Sequence, residues 1–512
     1  MRAFFRPISS GSASVLLAAA SLISYVAGLL RDVLMSNYFG ATVITDAYNT
    51  AFLIPDLIYT LTTAGALSGI FLPIFRSVNL KDQEESSKLA GSFLVLGQVM
   101  VLVLSVIAFL IMPWLVETFF ARAPEPQLII NMSRILLVSP IVFSLSNTFG
   151  SILMTFKHYL AYAFSAAFYN VGIIAGLVIF EGELGIYSVV VGVLIGLALH
   201  LGLRLIDFSF LDFKVKFSWY RPGIKKIASL AAPKTVGLLV WQLSLWAYNI
   251  IGTGMLAAGS IAAFYYARNI QSFAVSLFGI AVATAVFPFI VDFKERNQTK
   301  ELVQKIESTL LQILVFTVPA AVGLALLDTE VVTALLGRGE FDEKAIVLTS
   351  AILFFFAFSI PFESMTHLFA RIFYAFHNTL IPVGVNLLFL AINLGGSFYF
   401  AVEYGAKAFS IFFAIASAIQ VSLLILFVRR FVKLHFGFLI IRVVKILGAS
   451  GVMGLLVYLA RENLDFGLWI DLGLSVLVGV ASYFFLLYIM DMLRYTGLRR
   501  IKLSMNLMRN RK

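Results

Sequence analysis

Long apolar stretches separated by short polar connections dominate this chain. A membrane-spanning helix needs about 20 apolar residues, and we identify fourteen stretches that meet this requirement. Several of them exceed it, which indicates tilt or helical extension beyond the membrane. The pattern predicts an all-α polytopic membrane protein with about fourteen transmembrane helices, at residues 11–39, 47–75, 89–119, 127–154, 159–180, 184–206, 224–254, 258–291, 303–327, 346–376, 379–402, 405–429, 438–460 and 467–491.

The charged residues are sorted along this pattern. Only 13% of the chain is charged, against 60% hydrophobic, and 29 of its 38 Lys and Arg fall in or beside cytoplasmic segments if the N-terminus lies inside. This bias is the positive-inside rule, so we expect a multi-pass protein of the bacterial cytoplasmic (inner) membrane with both termini cytoplasmic. Four cations fall within the spans, where charge is costly and usually functional: Arg31, Arg134, Lys234 and Arg268.

Composition excludes several classes of function. The net charge of +11 sits on cytoplasmic loops and a basic tail, so we expect contact with anionic membrane lipids and not with nucleic acid. The absence of cysteine excludes disulfides and thiolate metal sites. Phosphate loops, HExxH motifs and nucleophile elbows are also missing, which argues against an enzyme. We expect no cofactor, with transport coupled instead to Na⁺, H⁺ or the membrane potential.

The spacing of the spans predicts two six-helix lobes. Residues 1–206 form the N-lobe with spans 1–6, and a polar cytoplasmic connection at 207–223 separates it from a C-lobe at 224–429 with spans 7–12. Residues 430–512 contain spans 13 and 14 and the basic cytoplasmic tail. Six plus six spans are typical of a duplicated transporter with its site near the bilayer midplane between the halves.

Span 1 carries the adjacent residues Arg31 and Asp32. Neighbours on a helix point about 100° apart, so we expect one to face the lobe interface while the other bonds within the lobe. Arg31 is then either an anion contact held by local carboxylates or one half of a structural ion pair that locks spans 1 and 2.

Span 2 opens with Asp46 and carries a polar stripe. Asn49, Asp56 and Thr63 are seven residues apart and so return to one helix face. Such a stripe faces either a water-filled cleft or a neighbouring helix, and we favour the cleft.

The second lobe has charged residues in spans 7, 8 and 10. Lys234 lies close enough to the cytoplasmic end of span 7 to extend its amine to the headgroups. In span 8 we expect Arg268 to line the cavity, with Asn269 beside it. In span 10, Glu363, His367 and Arg371 share one face; they form either an intrahelical chain of charge pairs or a gate in which His367 titrates.

Taken in order, these residues resemble the MurJ/MviN family, the lipid II flippases of the MOP transporter superfamily. The resemblance rests on Gly28-Leu-Leu-Arg-Asp32, Phe39-Gly-Ala41, Thr45-Asp-Ala47, Phe71-Leu-Pro-Ile-Phe75, Leu336-Gly-Arg-Gly-Glu-Phe-Asp342 and Ala370-Arg-Ile-Phe-Tyr-Ala375. It implies two lobes around a cationic cavity and a groove for the lipid tail at spans 13 and 14. The implied substrate is an undecaprenyl-pyrophosphate-linked peptidoglycan precursor, with cell-wall synthesis proteins as candidate partners.

The chain also departs from the family pattern. It has Tyr25 where the family commonly has an arginine, Tyr59-Thr60 where it has an arginine pair, and Asp56 where an asparagine is common. In span 8 the family's arginine falls at Asn269, with Arg268 beside it. The first lobe has thus lost cations that would suit a pyrophosphate, which favours bidentate arginine partners.

We therefore keep three hypotheses. The first is a lipid II flippase in which Arg31 and Arg268 hold the pyrophosphate, Asp32 and Asp46 orient Arg31, and the stripe of span 2 solvates the sugar and peptide. The second is an exporter of another polyprenyl-linked glycan or an amphipathic cation, which Asp56 favours. The third is a scaffold that recruits cell-wall enzymes without transporting anything.

Overall fold

The computed structural model describes residues 10–64, 70–217 and 221–495, and every regular element within these ranges is helical. The helices up to residue 255 are α1 (Ser10–Phe39), α2 (Val43–Ala51), α3 (Leu53–Tyr59), α4 (Phe71–Asn79), α5 (Gln83–Phe119), α6 (Pro126–Leu136), α7 (Val138–Thr155), α8 (Leu160–Leu184), α9 (Tyr187–Phe208) and α10 (Arg221–Met255). A π-helical turn, Thr60–Ala64, follows α3.

The remaining helices continue in the same manner. They are α11 (Ser260–Ala274), α12 (Ala281–Glu295), α13 (Thr299–Leu326), α14 (Asp328–Leu336), α15 (Glu343–Ala375), α16 (Leu380–Tyr404), α17 (Lys407–Val428), α18 (Phe436–Asn463) and α19 (Leu468–Ile489). A second π-helical turn, Val275–Ile280, joins α11 to α12.

The structure agrees closely with the predicted spans. Among the described residues, 12 helical stretches are long and apolar enough to cross a membrane, and they coincide with twelve of the fourteen predictions. Helix α10 covers the predicted seventh span. The second span, predicted at 47–75, is instead divided among α2, α3, the first π-helical turn and α4. One break follows from Pro55, which has no N–H to donate to the carbonyl of Ala51, the last residue of α2.

Two helical hairpins repeat each other along the chain. Helices α8 and α16 each have 25 residues, and the helices that follow them, α9 and α17, each have 22. The connections repeat too, since Lys157 and His377 precede the hairpins with φ of 64° and 56°, and Gly185 and Gly405 join their helices with φ of 51° and 60°. Each pair is separated by 220 residues in the chain. This regularity supports the predicted duplication, which the residue types alone do not reveal.

By its internal contacts the chain divides into two compact units, which we call unit 1 (Met1–Ala262 with Gly339–Phe341) and unit 2 (Ala263–Arg338 with Asp342–Lys512). The sequence predicts the boundary at 207–223, whereas α10 packs within unit 1. The indole N–H of Trp246 donates to the carbonyl of Leu53 at 3.3 Å, and Gln242 donates to the hydroxyl of Thr60 at 3.2 Å. These side-chain contacts hold α10 against the divided second span.

A turn from much later in the chain, Gly339–Phe341, packs within unit 1. The amide of Glu340 donates to the carbonyl of Asn37 at the end of α1, at 2.9 Å. Gly339, with φ of 57°, approaches that same carbonyl so closely that a Cβ would lie 2.1 Å from its oxygen. Only glycine fits such an approach. Gly40, in another stretch that carries the resemblance, meets the same turn, since a Cβ on it would lie 2.3 Å from the carbonyl oxygen of Glu340.

Unit 2 incorporates the last two helices, which the sequence treats as an appended pair. The hydroxyl of Tyr483 in α19 donates to the carbonyl of Val315 in α13 at 2.8 Å. Met453 and Val457 of α18 are buried in the same apolar cluster as Ile313 and Leu314 of α13. Helices α18 and α19 are therefore an integral part of the unit 2 core.

Candidate functional site

Arg31 and Asp32 form a direct ion pair on α1. Nη2 and Nε of Arg31 lie 2.8 and 3.1 Å from the same carboxylate oxygen of Asp32. The prediction that the two side chains diverge is wrong, because the long arginine stem spans the angle between neighbouring helix positions. The pair also reaches another helix, since Nη1 of Arg31 donates to Oδ1 of Asn170 in α8, at 3.4 Å.

Tyrosines and a third acidic residue complete a group around this pair. Tyr48 lies within electrostatic range of Arg31, Asp32 and Asp56, and Tyr169 within range of Arg31 and Asp56. We call Arg31, Asp32, Tyr48, Asp56 and Tyr169 the Arg31 cluster. Asp56 is half-buried, and within the described part of the chain its carboxylate has no hydrogen bond or ion pair. The cluster therefore presents both an incompletely engaged cation and an available carboxylate.

Asp46 has a different role from the predicted one. Its two carboxylate oxygens accept hydrogen bonds from the backbone amides of Gly259 and Ala262, each at 2.7 Å, where α11 begins. A carboxylate at a helix N-terminus pairs with amides that lack helical partners and interacts favourably with the helix dipole. Asp46 is thus a cap for α11 and not an orienting partner of Arg31, which corrects that part of the prediction.

The predicted polar stripe of span 2 is divided by the breaks in its helix. Asn49 is half-buried and donates to the carbonyl of Thr45 within α2, at 3.0 Å. Thr63, in the π-helical turn, is buried and donates to the hydroxyl of Ser144 in α7, at 3.0 Å. The seven-residue spacing places side chains on one face only along an unbroken helix, so Thr63 packs against α7 instead of extending the stripe.

Sequence reasoning missed a buried cation, Arg204 of α9. It lies two residues before the predicted end of span 6 and was therefore counted among the cytoplasmic cations. Arg204 is only 3% exposed and donates to Oδ1 of Asn147 at 2.6 Å and to the hydroxyl of Ser165 at 3.0 Å. The polar residues inside spans 4 and 5, Asn147 and Ser165 among them, were the signal that could have revealed a partner within the unit.

Unit 2 has its own cluster, centred on Arg268 of α11. Nη1 and Nη2 of Arg268 donate to the two carboxylate oxygens of Glu363 in α15, at 2.9 and 2.7 Å. Nη1 also donates to Gln271 at 2.6 Å, and the guanidinium lies 4.5 Å from the centre of the Phe413 ring. Gln271 in turn donates to Glu363 and to Ser359, each at 2.9 Å. We call Arg268, Gln271, Ser359, Glu363 and Phe413 the Arg268 cluster.

The bidentate pair argues against the predicted role of Arg268 as a substrate contact. Its side chain is 12% exposed and that of Glu363 is 18% exposed. The neighbouring Asn269, by contrast, is exposed, as expected for the next position around the helix.

The charged face of span 10 is not an intrahelical chain of pairs. Glu363 reaches Arg268 on another helix, while Arg371 donates to the carbonyl of His367 at 3.0 Å and to the hydroxyl of Thr284 in α12 at 2.6 Å. His367 is half-buried within electrostatic range of Glu363 and Arg371. Its predicted gating role stays a prediction. The side chain of Lys234 lies outside the described residues.

No group of three or more His, Cys, Asp or Glu that could hold a metal ion occurs in the ranges that the structure describes. The architecture is that of a multi-pass membrane transporter. It combines repeated helical hairpins, many membrane-crossing helices and charged clusters within the helix bundles.

Comparison with known proteins identifies the particular family. The sequence model described as "Lipid II flippase MurJ" matches residues 35–474, so the chain belongs to the lipid II flippase MurJ family and is not an enzyme. Its relatives include the probable lipid II flippase MurJ of Aquifex aeolicus, which is 29% identical and aligns over 88% of this chain and 89% of that protein. The corresponding protein of Rickettsia prowazekii is 25% identical, over 94% of this chain and 98% of its own length.

Solved structures agree on the fold. A lipid II flippase MurJ in an inward closed conformation superposes with a TM-score of 0.79 at 24% identity, covering 96% of this chain and all of that one. An inward-facing multidrug resistance MATE transporter of the MOP superfamily superposes with a TM-score of 0.69 at 15% identity, over 81% and 97% of the two chains. The chain is thus a multi-pass protein of the bacterial inner membrane with the MOP superfamily fold.

Proposed function

We propose that this chain moves lipid II, the undecaprenyl-pyrophosphate-linked peptidoglycan precursor, from the inner to the outer leaflet for cell-wall synthesis. Family membership supports the substrate class. The pyrophosphate needs a cation in the membrane interior, and guanidinium groups pair best with phosphate oxygens. We assign this contact to Arg31.

The observation that carries the assignment is the incomplete engagement of Arg31. Asp32 offers it a single oxygen, and the bond to Asn170 is long, at 3.4 Å. The Arg31 side chain also keeps 26% of its surface exposed. A guanidinium has five N–H donors, so one held on one side by Asp32 can still present donors to a phosphate.

The other proposed roles follow from position and charge. Asp32 orients Arg31, and Asn49 and Asp56 solvate the sugar and peptide of the substrate. Transport proceeds by alternating access, driven by the membrane potential or by a gradient of Na⁺ or H⁺. A single charge moving through 100 mV gains about 2.3 kcal/mol, which biases a cycle without ATP. The distribution of Lys and Arg supports cytoplasmic placement of both termini.

Complementation tests this proposal. The chain is expressed in a bacterium depleted of its own lipid II flippase, and lipid II at the outer leaflet is measured together with survival. We expect rescue by the wild-type chain and none by Arg31→Ala present in the membrane at equal amount. Full rescue by Arg31→Ala would overturn the assignment of Arg31. If the wild-type chain is correctly inserted and still does not rescue the cells, the assignment of lipid II as the substrate is wrong.

Asp56 favours a second candidate substrate, an amphipathic cation. Its carboxylate is half-buried and without a hydrogen-bond partner within the described ranges, which suits a positively charged group. Binding of a fluorescent lipophilic cation to purified protein discriminates the two candidates. Tight binding that Asp56→Asn abolishes would favour the cation, whereas binding that is weak and indifferent to Asp56→Asn leaves lipid II as the substrate.

A further inference from the structure

The charge of Arg204 is not neutralised by any acidic side chain among the described residues. Its partners are the amide oxygen of Asn147, the hydroxyl of Ser165 and the ring of Tyr162, whose centre lies 5.0 Å from the guanidinium carbon. The acidic residue nearest in sequence, Asp207, instead lies 2.7 Å from His158. Neutral partners satisfy the donors of an arginine but leave its positive charge in place, and such a charge in a membrane interior is rarely idle.

The surroundings of Arg204 fit a guanidinium in one orientation. A Cβ at Gly150 of α7 would lie 2.8 Å from Nη1, so the absence of a side chain there makes room for the group. Tyr162 covers one face of the guanidinium as a cation–π partner. Nη1 is thereby directed at Asn147, and the geometry of this contact is set by packing on several sides.

The contact with Asn147 dictates the direction of the next hydrogen bond. Arginine can only donate, so Asn147 must turn its oxygen to Arg204 and its NH₂ group the other way. That NH₂ donates to the hydroxyl oxygen of Tyr59 at 2.7 Å. The proton of Tyr59 therefore points away from Asn147, and no acceptor for it occurs among the described residues.

Hydrogen bonds in a chain polarise one another in a medium of low dielectric. A buried cation at one end of this chain pulls electron density through Asn147 and strengthens the Tyr59 hydroxyl as a donor. Tyr59 is half-buried and lies within electrostatic range of Asp56, a member of the Arg31 cluster. Its ring centre is 6.0 Å from that of Phe143, which is 5.3 Å from that of Tyr169 in the same cluster.

We propose that Tyr59 is a substrate-binding residue that donates its hydroxyl proton to a phosphate oxygen, and that Arg204 is a positioning residue that acts on this donor through Asn147. The inference deepens the proposed function and rests on it, because it names a second phosphate contact of the same substrate. Unit 1 thus offers the substrate two phosphate contacts: the guanidinium of Arg31, and the hydroxyl of Tyr59, which Arg204 polarises through Asn147.

Binding of undecaprenyl pyrophosphate to the purified full-length protein in nanodiscs tests the proposal, with undecaprenol as the uncharged comparison. We expect Tyr59→Phe to weaken pyrophosphate binding about tenfold, the usual size of a hydrogen bond to a charged group, and to leave undecaprenol binding unchanged. Tyr187→Phe, which removes a hydroxyl elsewhere in unit 1, is the matched control and should bind as the wild type does.

A double-mutant cycle tests the role of Arg204. Arg204→Lys keeps the charge but loses the fork that reaches both Asn147 and Ser165. We expect it to weaken pyrophosphate binding in the wild-type background and to have no further effect in Tyr59→Phe. Equal weakening in both backgrounds would overturn the relay, as would wild-type binding by Tyr59→Phe. If Arg204→Lys does not fold, Asn147→Leu replaces it in the cycle with the same expected outcomes.

The test separates this inference from the proposed function. If the wild-type protein does not bind undecaprenyl pyrophosphate better than undecaprenol, the phosphate site itself fails, and the inference fails with it. If the wild type discriminates and Arg31→Ala abolishes this, while Tyr59→Phe binds undecaprenyl pyrophosphate as the wild type does, the proposed function stands and the inference alone is wrong.

Discussion

The Arg31 cluster of unit 1 and the Arg268 cluster of unit 2 both contain an arginine paired with a carboxylate, and they differ in how completely the pair is satisfied. Arg268 faces both oxygens of Glu363, at 2.9 and 2.7 Å, and lies over an aromatic ring. Arg31 faces one oxygen of Asp32, its helix neighbour, and is 26% exposed against 12% for Arg268. The saturated pair leaves few donors and acceptors for another partner, whereas the unsaturated one can exchange partners.

A second comparison concerns the repeated hairpins. In α8 and α9, Gly176 meets Gly192, and a Cβ on Gly176 would lie 2.2 Å from the Cα of Gly192. At the corresponding positions of α16 and α17, 220 residues on, Gly396 meets Phe412, with a Cβ position 2.0 Å from its ring. The two hairpins thus pack differently: the backbones of α8 and α9 touch at small residues, whereas an aromatic ring of α17 packs on a glycine of α16.

The largest loss of stability is expected when the Arg268 pair is broken. Arg268→Met leaves the Glu363 carboxylate buried without its counter-ion, which costs about 3–5 kcal/mol. Thermal unfolding in detergent measures the loss, and the double variant Arg268→Met/Glu363→Leu should recover most of it. A single variant as stable as the wild type would show that the Glu363 carboxylate does not depend on Arg268 as its counter-ion.

The hairpin comparison predicts the next effect. Gly192→Leu inserts a side chain where α8 and α9 touch, and overpacking of this kind costs about 1–3 kcal/mol. Gly202→Leu, on the same helix with no atom within 4 Å of its Cβ position, is the control for the intrinsic effect of replacing glycine. Equal unfolding temperatures for the two variants would contradict close packing at Gly192.

Replacing the cap of α11 is expected to have a smaller effect. Asp46→Ala removes both acceptors of the Gly259 and Ala262 amides and should cost about 1 kcal/mol or somewhat more. Lipid II transport per folded molecule should change little, because Asp46 does not contact Arg31. If Asp46→Ala loses transport while its unfolding temperature is unchanged, the predicted substrate role of Asp46 would be supported instead.

The smallest change in stability is expected at Arg31. Arg31→Gln breaks a pair whose guanidinium is partly exposed while its Asp32 carboxylate is buried, and the amide of the glutamine keeps a hydrogen-bond donor for that carboxylate. Transport should nevertheless fall to background. Measured on the same preparations, Arg31→Gln should therefore lose transport with little loss of stability, whereas Arg268→Met should lose stability. Strong destabilisation by Arg31→Gln would make the two clusters equivalent and remove the distinction between them.

The sequence predicts most of the fold and only part of the candidate site. Twelve spans follow from apolar length alone, and α10 coincides with a thirteenth. The sequence predicts a continuous second span, although Pro55 within it removes one helical hydrogen bond. For the site, the sequence predicts the types of residue but not their partners: neither interpretation of span 10 pairs Glu363 with Arg268, and the predicted end of span 6 places Arg204 beside the cytoplasm.

What the sequence determined by itself is therefore the class of protein: a positively charged, cysteine-free chain of apolar helices that must cross a membrane. Hydrophobic length and loop charge are local properties, and the bilayer acts on them one segment at a time. The tertiary structure decided which cations are neutralised. Arg268 and Glu363 are 95 positions apart in the chain, and Asn147 and Arg204 are 57 positions apart. Only helix packing brings these partners together, because a hydrogen bond depends on where helices meet and not on their order.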